Sequence, residues 1–171
     1  MTHEPTNAIQ SAFIPRVCGK LLQFLARRFP LLPSRLRVLL QRARGVQFVD
    51  WRSVFLGEDV YFDDISPEAI QVGRNVRITA GVRILTHYFD TRFVPTQKRP
   101  FRFYQGSVVI GDNVFIGLNV VVAQPARIGD GAVIGANSVV TCDIPANAIA
   151  VGSPARVVGE RPAMQQDHKE G

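Results

Sequence analysis

Residues 110–145 read IGDNVF IGLNVV VAQPAR IGDGAV IGANSV VTCDIP, six successive segments of six residues that each begin with Ile or Val. The same spacing occurs upstream, where Val72, Ile78 and Ile84 are also six residues apart. Two positions before these residues the sequence mostly has Val, Ala or Ser, and residues two apart on a strand lie on the same face. Each hexad therefore predicts one short strand with two inward side chains.

Glycine marks the turns between these strands. It follows the large aliphatic residue at 73, 111, 117, 129 and 135, so the backbone turns or approaches another segment closely after most strands. Short strands separated by corners, without hairpin signals, wind into a coil whose strands stack in parallel. The sequence therefore predicts a mainly β fold, a parallel β-helix of hexapeptide repeats with an aliphatic ladder inside. The alternative is an antiparallel meander, which needs hairpin turns and less regular spacing.

The repeat is interrupted once, between Ile84 and Ile110. The segment between them is rich in Arg, Lys and aromatic residues and contains two prolines. We expect residues 85–107 to form a long loop that leaves one corner of the coil. Long loops on rigid scaffolds commonly carry function, and an inert insertion is the alternative.

An N-terminal segment, residues 1–50, carries the excess charge of the chain. It holds eight Lys or Arg residues against Glu4 and Asp50, which accounts for the net charge of +6. Within 11–44 the apolar pattern predicts two short helices, split by 29–33, with Ser34 as the N-cap of the second. These helices either cap the first coil of a solenoid over 51–158 or lie on an anionic membrane surface. Residues 159–171 form a polar tail.

The cysteines and the apolar runs indicate the cellular setting. Cys18 and Cys142 lie in unrelated contexts and form neither a disulfide framework nor a metal motif, which suits a reducing compartment. No apolar run reaches membrane-spanning length, and prolines and arginines in the first forty residues argue against a secretory signal. We therefore expect a cytoplasmic protein, at the inner face of the membrane if the helices bind lipid. Because the excess charge is confined to the N-terminal segment, it does not indicate nucleic-acid binding.

Residues 72–158 resemble the hexapeptide-repeat acyltransferases, in the branch of the galactoside and maltose O-acetyltransferases. The matching pieces are IGDNVFIGLNVVV and IGDGAVIGANSVVTCDIPANAIAVGSPARVV, together with a histidine at the start of the loop. The resemblance implies a homotrimer of left-handed β-helices that binds acetyl-CoA in the groove between neighbouring subunits and requires no metal. It also implies transfer of an acetyl group directly to a hydroxyl group of a carbohydrate.

The resemblance assigns the role of general base to His87. A neutral imidazole can take a proton from an alcohol as the alcohol attacks a thioester. His3 and His168 lie in the polar ends of the chain. The alternative for His87 is a loop histidine with a local hydrogen bond, and Asp90 is a candidate for the residue that orients its ring.

The resemblance also carries over residues that bind the cofactor and the acceptor. The cofactor-binding set is Phe115 beside the pantetheine arm, a backbone donor at Leu118, the groove residues Ala136 and Thr141, and Arg156 at the nucleotide end. The acceptor set is Asp63 and Asp64 with Asp90. The N-terminal region of the maltose and galactoside enzymes is not recognisable in residues 1–50. This departure favours a sugar of a surface polysaccharide over free galactoside or maltose as the acceptor.

Other functions are open or disfavoured on the same residues. Acetylation of an amine, in an amino sugar or an antibiotic, would use the same base. A non-catalytic scaffold is a further alternative. Metalloenzymes that share the solenoid need three histidines around a metal, which one histidine in the repeat region cannot supply. An acyl-enzyme on Cys142 lacks an activating base in the pattern.

Overall fold

The structure, a computed structural model, describes residues 16–29, 31–90 and 102–162 of the 171-residue chain. Within these residues two helices, α1 (Arg16–Arg28) and α2 (Ser34–Ala43), precede sixteen short strands, and a single 3₁₀ turn spans Pro67–Ala69. The split at residues 29–33 is as the apolar pattern predicts. None of the described helices is long and apolar enough to cross a membrane.

The strands form three faces that the chain visits in rotation. The first face stacks β1 (Gln47–Phe48), β4 (Ile70–Val72), β9 (Val108–Ile110) and β12 (Arg127–Ile128). The second stacks β2 (Phe55–Leu56), β5 (Arg77–Ile78), β10 (Phe115–Ile116), β13 (Val133–Ile134) and β15 (Ala148–Val151), with β16 (Arg156–Glu160) antiparallel at its edge. The third stacks β3 (Tyr61–Phe62), β6 (Arg83–Ile84), β11 (Val121–Val122) and β14 (Val139–Val140). All coil-to-coil pairings are parallel, so the predicted parallel β-helix is confirmed and the antiparallel meander is wrong.

The interior is the aliphatic ladder that the repeat predicts. The side chains at the ladder positions are at most 1% exposed; these are Val72, Ile78, Ile84, Ile110, Ile116, Val122, Ile128, Ile134 and Val140. The small residues two positions earlier are also buried. The polar one among them, Ser138, accepts a hydrogen bond from the N–H of Gly152 at 3.0 Å, which satisfies its hydroxyl inside the coil.

One complete coil precedes the regular repeat. Phe48, Leu56 and Phe62 continue the three ladders into this coil. Their spacing is irregular, because Leu56 follows Phe48 by eight positions, Phe62 follows Leu56 by six, and Val72 follows Phe62 by ten. The solenoid therefore begins at Gln47, before the predicted boundary at residue 50. At the other end β16 continues to Glu160, beyond the predicted end of the domain at residue 158.

The two helices cover the open end of this first coil. The Nε2 amide of Gln23 on α1 donates to the carbonyl of Phe62 at 2.8 Å. On α2, Val38 is fully buried in the core, and the hydroxyl of Ser34 accepts from the N–H of Leu56 at 2.8 Å. The expectation that Ser34 caps α2 is therefore wrong, because its hydroxyl pairs with a backbone donor of the coil and Pro33 occupies the N-cap position.

The interruption of the repeat leaves the coil as an arm of two antiparallel strands. These are β7 (His87–Asp90), which follows the third face, and β8 (Arg102–Gln105), which leads back to the first face. The ejected segment thus leaves a corner of the coil, as predicted. The connection between these two strands, which includes the basic residues Lys98 and Arg99 of the predicted loop, lies outside the described residues.

Candidate active site

His87 stands at the base of the arm, where the chain leaves the third face. Its Nδ1 atom lies 2.6 Å from Oδ2 of Asp63, a fully buried carboxylate that follows β3 one coil below. The same oxygen accepts hydrogen bonds from the N–H of Thr86 at 2.7 Å and from its hydroxyl at 2.6 Å. Oδ1 accepts from the N–H of Ile65 at 3.0 Å. The Asp63 carboxylate is therefore fixed by two coils at once.

These hydrogen bonds favour the ionised form of Asp63. Burial by itself raises the pKa of Asp63, but donors on Thr86, Ile65 and His87 outweigh it and hold the pKa below its ordinary value. An ionised carboxylate can only accept, so Nδ1 of His87 carries the proton that it donates. The lone pair of a neutral imidazole then lies on Nε2, which no hydrogen bond joins to any other described residue.

The lowered pKa of Asp63 predicts how stability depends on pH. In the unfolded chain the pKa of this carboxyl is about 3.9. Because the folded pKa lies lower, the stabilisation is fully present above the unfolded value and is lost as pH falls through the folded value. We expect the difference in urea midpoint between the wild type and Asp63→Asn to shrink from about pH 5 to about pH 3. A constant difference over that range would contradict the assignment.

The structure places the three acidic residues predicted to bind the acceptor in different environments. Asp63 is buried against His87 rather than exposed towards a ligand, so it takes the orienting role that the sequence suggested for Asp90. Asp64 is exposed, and its Oδ1 lies 2.5 Å from Nη2 of Arg44. The side chain of Asp90 lies outside the described residues, so its predicted role stays a prediction.

Arg44 connects the helices to the turn that holds the carboxylate. Its Nη2 donates to the backbone carbonyl of Asp63 at 3.3 Å as well as to Asp64, and Nη1 donates to Oε1 of Gln23 at 2.7 Å and of Gln41 at 2.6 Å. Burial lowers the pKa of Arg44, and the charge of Asp64 partly offsets this. The helical cap therefore stabilises the loop that positions the His87 partner.

Aromatic rings surround the imidazole on the arm. Strand pairing places His87 on the same side of the arm as Phe89 and Phe103, whose ring centroids lie 5.8 and 5.4 Å from that of His87. On the other side Tyr88 and Tyr104 stack with centroids 4.8 Å apart. All four of these aromatic residues are exposed, and Phe89 and Phe103 offer apolar ring surface next to the His87 imidazole.

A second group of predicted residues lies at another corner, between the second and third faces. Ala80, Leu118 and Ala136 stack there on successive coils, which we call the Leu118 corner. The N–H of Asn119 donates to the carbonyl of Ala80 at 3.0 Å, and the N–H of Asn137 donates to that of Leu118 at 2.8 Å. Phe115 lies just before this corner on β10 and is 41% exposed.

The backbone N–H groups of the Leu118 corner differ from those of the corner between the first and second faces. At that corner, aspartates on the next coil accept from the equivalent donors, with Arg74 N–H to Asp112 at 2.6 Å and Asp112 N–H to Asp130 at 2.8 Å. Leu118 and Ala136 have no side-chain oxygen to fill that role. Among the described residues, the N–H of Leu118 has no hydrogen-bond acceptor, so it is available to a ligand.

Most of the predicted site residues are therefore divided between two corners of the coil. His87, Asp63 and Thr141 follow third-face strands, with Thr141 two coils above His87, about 10 Å along the stack. Leu118 and Ala136 lie across the third face, a hexad that spans at most about 20 Å when extended. Arg156 is exposed at the start of β16, on the edge of the second face.

Two further groups of side chains bear on other chemistry: possible metal ligands and Cys142. His, Cys, Asp and Glu side chains form no group of three or more there that could hold a metal ion. Cys142 is an exposed free thiol. The described contacts pair neither His87 nor a carboxylate with it, as a thiolate nucleophile would need.

Sequence reasoning missed the role of Asp63 as partner of His87. The signal was the register of the first coil, because Phe62 and Ile84 are ladder positions that bring the residues after them onto one corner. Spacings of eight and ten residues around that coil concealed the register.

Known proteins share this architecture. The family model "Bacterial transferase hexapeptide (six repeats)" matches residues 107–142. The Bacillus subtilis (strain 168) protein named "Putative acetyltransferase YvoF" is 35% identical over 104 residues, 61% of this chain and 55% of that protein. The chain therefore spans about half the length of this relative.

Solved structures match over more of their length. A maltose O-acetyltransferase from Clostridium difficile 630 is 30% identical, with a TM-score of 0.58 over 86% of this chain and 87% of that one. A galactoside acetyltransferase in complex with coenzyme A, at 24% identity, has a TM-score of 0.57 over 91% of this chain and 88% of that one, and it supports the fold. Because the repeat, the parallel coil and a 30% identical enzyme of nearly full coverage agree, this chain belongs to the hexapeptide-repeat acyltransferase family.

Proposed function

We propose that this protein is an acetyl-CoA-dependent O-acetyltransferase that modifies a sugar hydroxyl of a surface polysaccharide in the cytoplasm. The observation that carries the proposal is the pairing of His87 with the buried carboxylate of Asp63 at 2.6 Å. A carboxylate that fixes the Nδ1 proton leaves Nε2 as a base beside an open, aromatic surface. Family membership supports acetyl transfer, and the galactoside acetyltransferase of this fold binds coenzyme A.

The reaction follows from the position of this base. Nε2 of His87 takes the proton of the sugar hydroxyl as its oxygen attacks the thioester carbonyl carbon. The resulting imidazolium is stabilised by the Asp63 carboxylate, which stays ionised. The tetrahedral intermediate then expels the sulfur of coenzyme A, the carbon–sulfur bond breaks, and the proton on Nε2 passes to the leaving thiolate. The products are the acetyl ester and free coenzyme A.

The division of the site between two corners supports a homotrimer with the active site between subunits. In this arrangement the corner of one subunit that carries Asp63 and His87, after the third-face strands, faces the Leu118 corner of its neighbour. The N–H of Leu118 would donate to the carbonyl oxygen as it becomes negative, because it has no acceptor among the described residues. Phe115, Ala136, Thr141 and Arg156 would line the groove for the pantetheine arm and nucleotide. Light scattering that finds an active monomer would contradict this arrangement.

The arm and the neighbouring turn are the proposed acceptor side. The exposed rings of Phe89 and Phe103 offer flat apolar surface beside His87 for the face of a sugar ring. Asp64 and Asp90 are the proposed partners of sugar hydroxyls. Asp64 also pairs with Arg44, and its carboxylate can accept a hydrogen bond from a sugar hydroxyl.

The test is thiol release from acetyl-CoA with a panel of neutral sugars, amino sugars and polysaccharide fragments, followed by mass spectrometry of the product. An acetyl ester on a sugar supports the proposal. An amide on an amino sugar would instead support acetylation of an amine. Tight binding of coenzyme A without turnover on any acceptor, or no binding, would indicate a non-catalytic scaffold.

Replacing Leu118 by proline tests the proposed oxyanion donor. Residues 117–120 form a turn in which Val120 N–H meets the Gly117 carbonyl at 3.4 Å and Asn119 has a φ of 55°. Proline is common at the second position of such a turn, so Leu118→Pro removes the N–H while keeping the backbone. We expect kcat to fall by about 10²-fold.

The matched control is Ala80→Pro at the equivalent position one coil below, before Gly81, whose φ is 73°. It should leave kcat within about threefold, a change that corresponds to less than about 1 kcal/mol. Equal losses in the two variants would indicate damage to the coil instead of loss of a specific donor.

A further inference from the structure

The outward surface of the helical cap is unlike the polar surface expected at the end of a solenoid. Each helix buries one side, with Gln23 and Ala26 on α1 and Val38 and Gln41 on α2. The opposite side mixes cations with large apolar residues: Lys20, Leu21, Phe24 and Arg28 on α1, and Arg35, Leu36, Leu39 and Arg42 on α2. Spacings of three and four residues place each set on one helix face. We call these eight residues, with Phe29 and Leu31, the cap surface.

The segment between the helices adds the most exposed apolar side chain of this surface. Leu31 is 95% exposed and Phe29 is 50% exposed, while Leu21 and Phe24 are exposed by 58% and 54%. Single exposed apolar residues are ordinary, but a contiguous group rimmed by polar residues marks an interaction surface. The cap needs none of these side chains to cover the first coil, because its contacts with the coil come from the buried sides.

Charge identifies the partner. Residues 5–49 contain no Asp or Glu. The described ion pairs of the helices use Arg27, Arg37 and Arg44, which meet carboxylates of the first coil. No ion pair within the described ranges includes the four cations of the cap surface. Cations interspersed with Leu and Phe fit an anionic bilayer, where the apolar side chains enter the headgroup region and the cations meet phosphates.

A pocket on the same surface fits a phosphate headgroup. It has a volume of about 290 Å³ and is lined by Lys20, Gln23, Phe24, Arg27, Arg28 and Asp64. Arg27 already pairs with Asp59, and the single carboxylate, Asp64, already pairs with Arg44, which leaves Lys20 and Arg28 as cations without a described ion pair. Asp64 is the neighbour of Asp63, so the pocket lies beside the turn that holds His87.

We propose that the cap surface docks this protein on an anionic membrane, with a lipid phosphate in the pocket of Lys20 and Arg28. A symmetric contact between two copies is disfavoured, because it would oppose the same cations across the interface. Docking places the acceptor side of the His87 site next to the bilayer, which suits an acceptor carried on the membrane. This consequence rests on the proposed function, whereas the docking itself does not.

Vesicle co-sedimentation without acetyl-CoA tests the docking. We expect binding to vesicles of phosphatidylcholine with phosphatidylglycerol and at least tenfold weaker binding to phosphatidylcholine alone, because each exposed cation contributes about fivefold on an anionic surface. Leu31→Glu and Phe24→Glu should each weaken binding at least tenfold. The matched control is Val158→Glu, at a residue of β16 that is 64% exposed outside the cap surface, and it should bind as the wild type does.

The two cysteines of the chain provide a spectroscopic readout. Cys18 on α1 and Cys142 after β14 are both exposed and free. An environment-sensitive fluorophore on Cys18, in a Cys142→Ser background, should shift to the blue with anionic vesicles. The same fluorophore on Cys142, in a Cys18→Ser background, should not shift. Soluble glycerophosphate should fail to reverse the Cys18 shift, since docking needs the bilayer.

Four outcomes would overturn the proposal: no binding of the wild type to anionic vesicles, equal binding of Leu31→Glu, reversal of the shift by soluble glycerophosphate, or a change of oligomer size in Leu31→Glu without any vesicle binding. The last would assign the surface to self-association. Acetyl transfer to a soluble sugar fragment remains measurable in each case, so failure of docking and failure of the proposed function are distinguishable.

Discussion

His87→Gln is expected to lower kcat for acetyl transfer by about 10²–10⁴-fold, the usual contribution of a positioned general base. Glutamine fills much of the same space and can hydrogen-bond to Asp63, but its amide cannot take a proton at neutral pH. A sugar hydroxyl would then have to attack without losing its proton to the enzyme. Binding of coenzyme A should not change, because His87 is assigned to proton transfer and is not among the residues proposed to bind the cofactor.

The measurement combines thiol release with calorimetric titration of coenzyme A. The matched control is His168→Gln, in the polar C-terminal tail predicted from the sequence, and it should leave kcat within about threefold. If His87→Gln kept wild-type turnover, the base would have to be sought elsewhere and the proposed mechanism would be wrong.

The fold was predictable because each hexad repeats the same pattern of buried aliphatic residues and turn residues. Ile at the ladder positions fills the interior, and glycine or asparagine fits the corners, where Asn75, Asn113, Asn119 and Asn137 all have positive φ. Once coils stack, the ladder buries a continuous core that no single hexad could form. The interruption was also visible, because the loop breaks the apolar period while the flanking ladder positions keep it.

Contacts between coils were much harder to predict than the coils themselves. The link between Asp63 and Thr86 joins residues 23 apart, across a first coil whose spacing of apolar residues is irregular. The cap contacts Gln23 to Phe62 and Ser34 to Leu56 depend on how two helices settle on the coil end, which the helical period does not specify. The resemblance predicts a backbone donor at Leu118, and the structure adds that this N–H has no acceptor among the described residues, whereas aspartates accept from the equivalent donors at another corner.

Asp63→Asn is expected to lower kcat by about 10²–10³-fold while leaving the KM for acetyl-CoA unchanged. The neutral amide cannot stabilise the imidazolium that forms as His87 takes the proton. Its NH₂ group also cannot accept. If the amide oxygen receives Thr86 and His87, the NH₂ faces the N–H of Ile65, and if it is turned round it faces three donors. In both orientations the ring of His87 loses its charge partner, and in the second it also loses its hydrogen-bond acceptor.

The control for Asp63→Asn must separate orientation from stability, and Asp59 provides it. Asp59 also lies in the first coil and pairs with Arg27 at 2.8 Å and Arg83 at 2.6 Å, but it does not contact His87. Its φ of 51° is tolerated by asparagine, so Asp59→Asn removes a comparable charge without backbone strain. At a temperature where both variants are folded, Asp59→Asn should retain kcat within about threefold. Equal losses would mean that Asp63 acts only by holding the first coil together, and a retained kcat in Asp63→Asn would mean that the carboxylate does not assist the base at all.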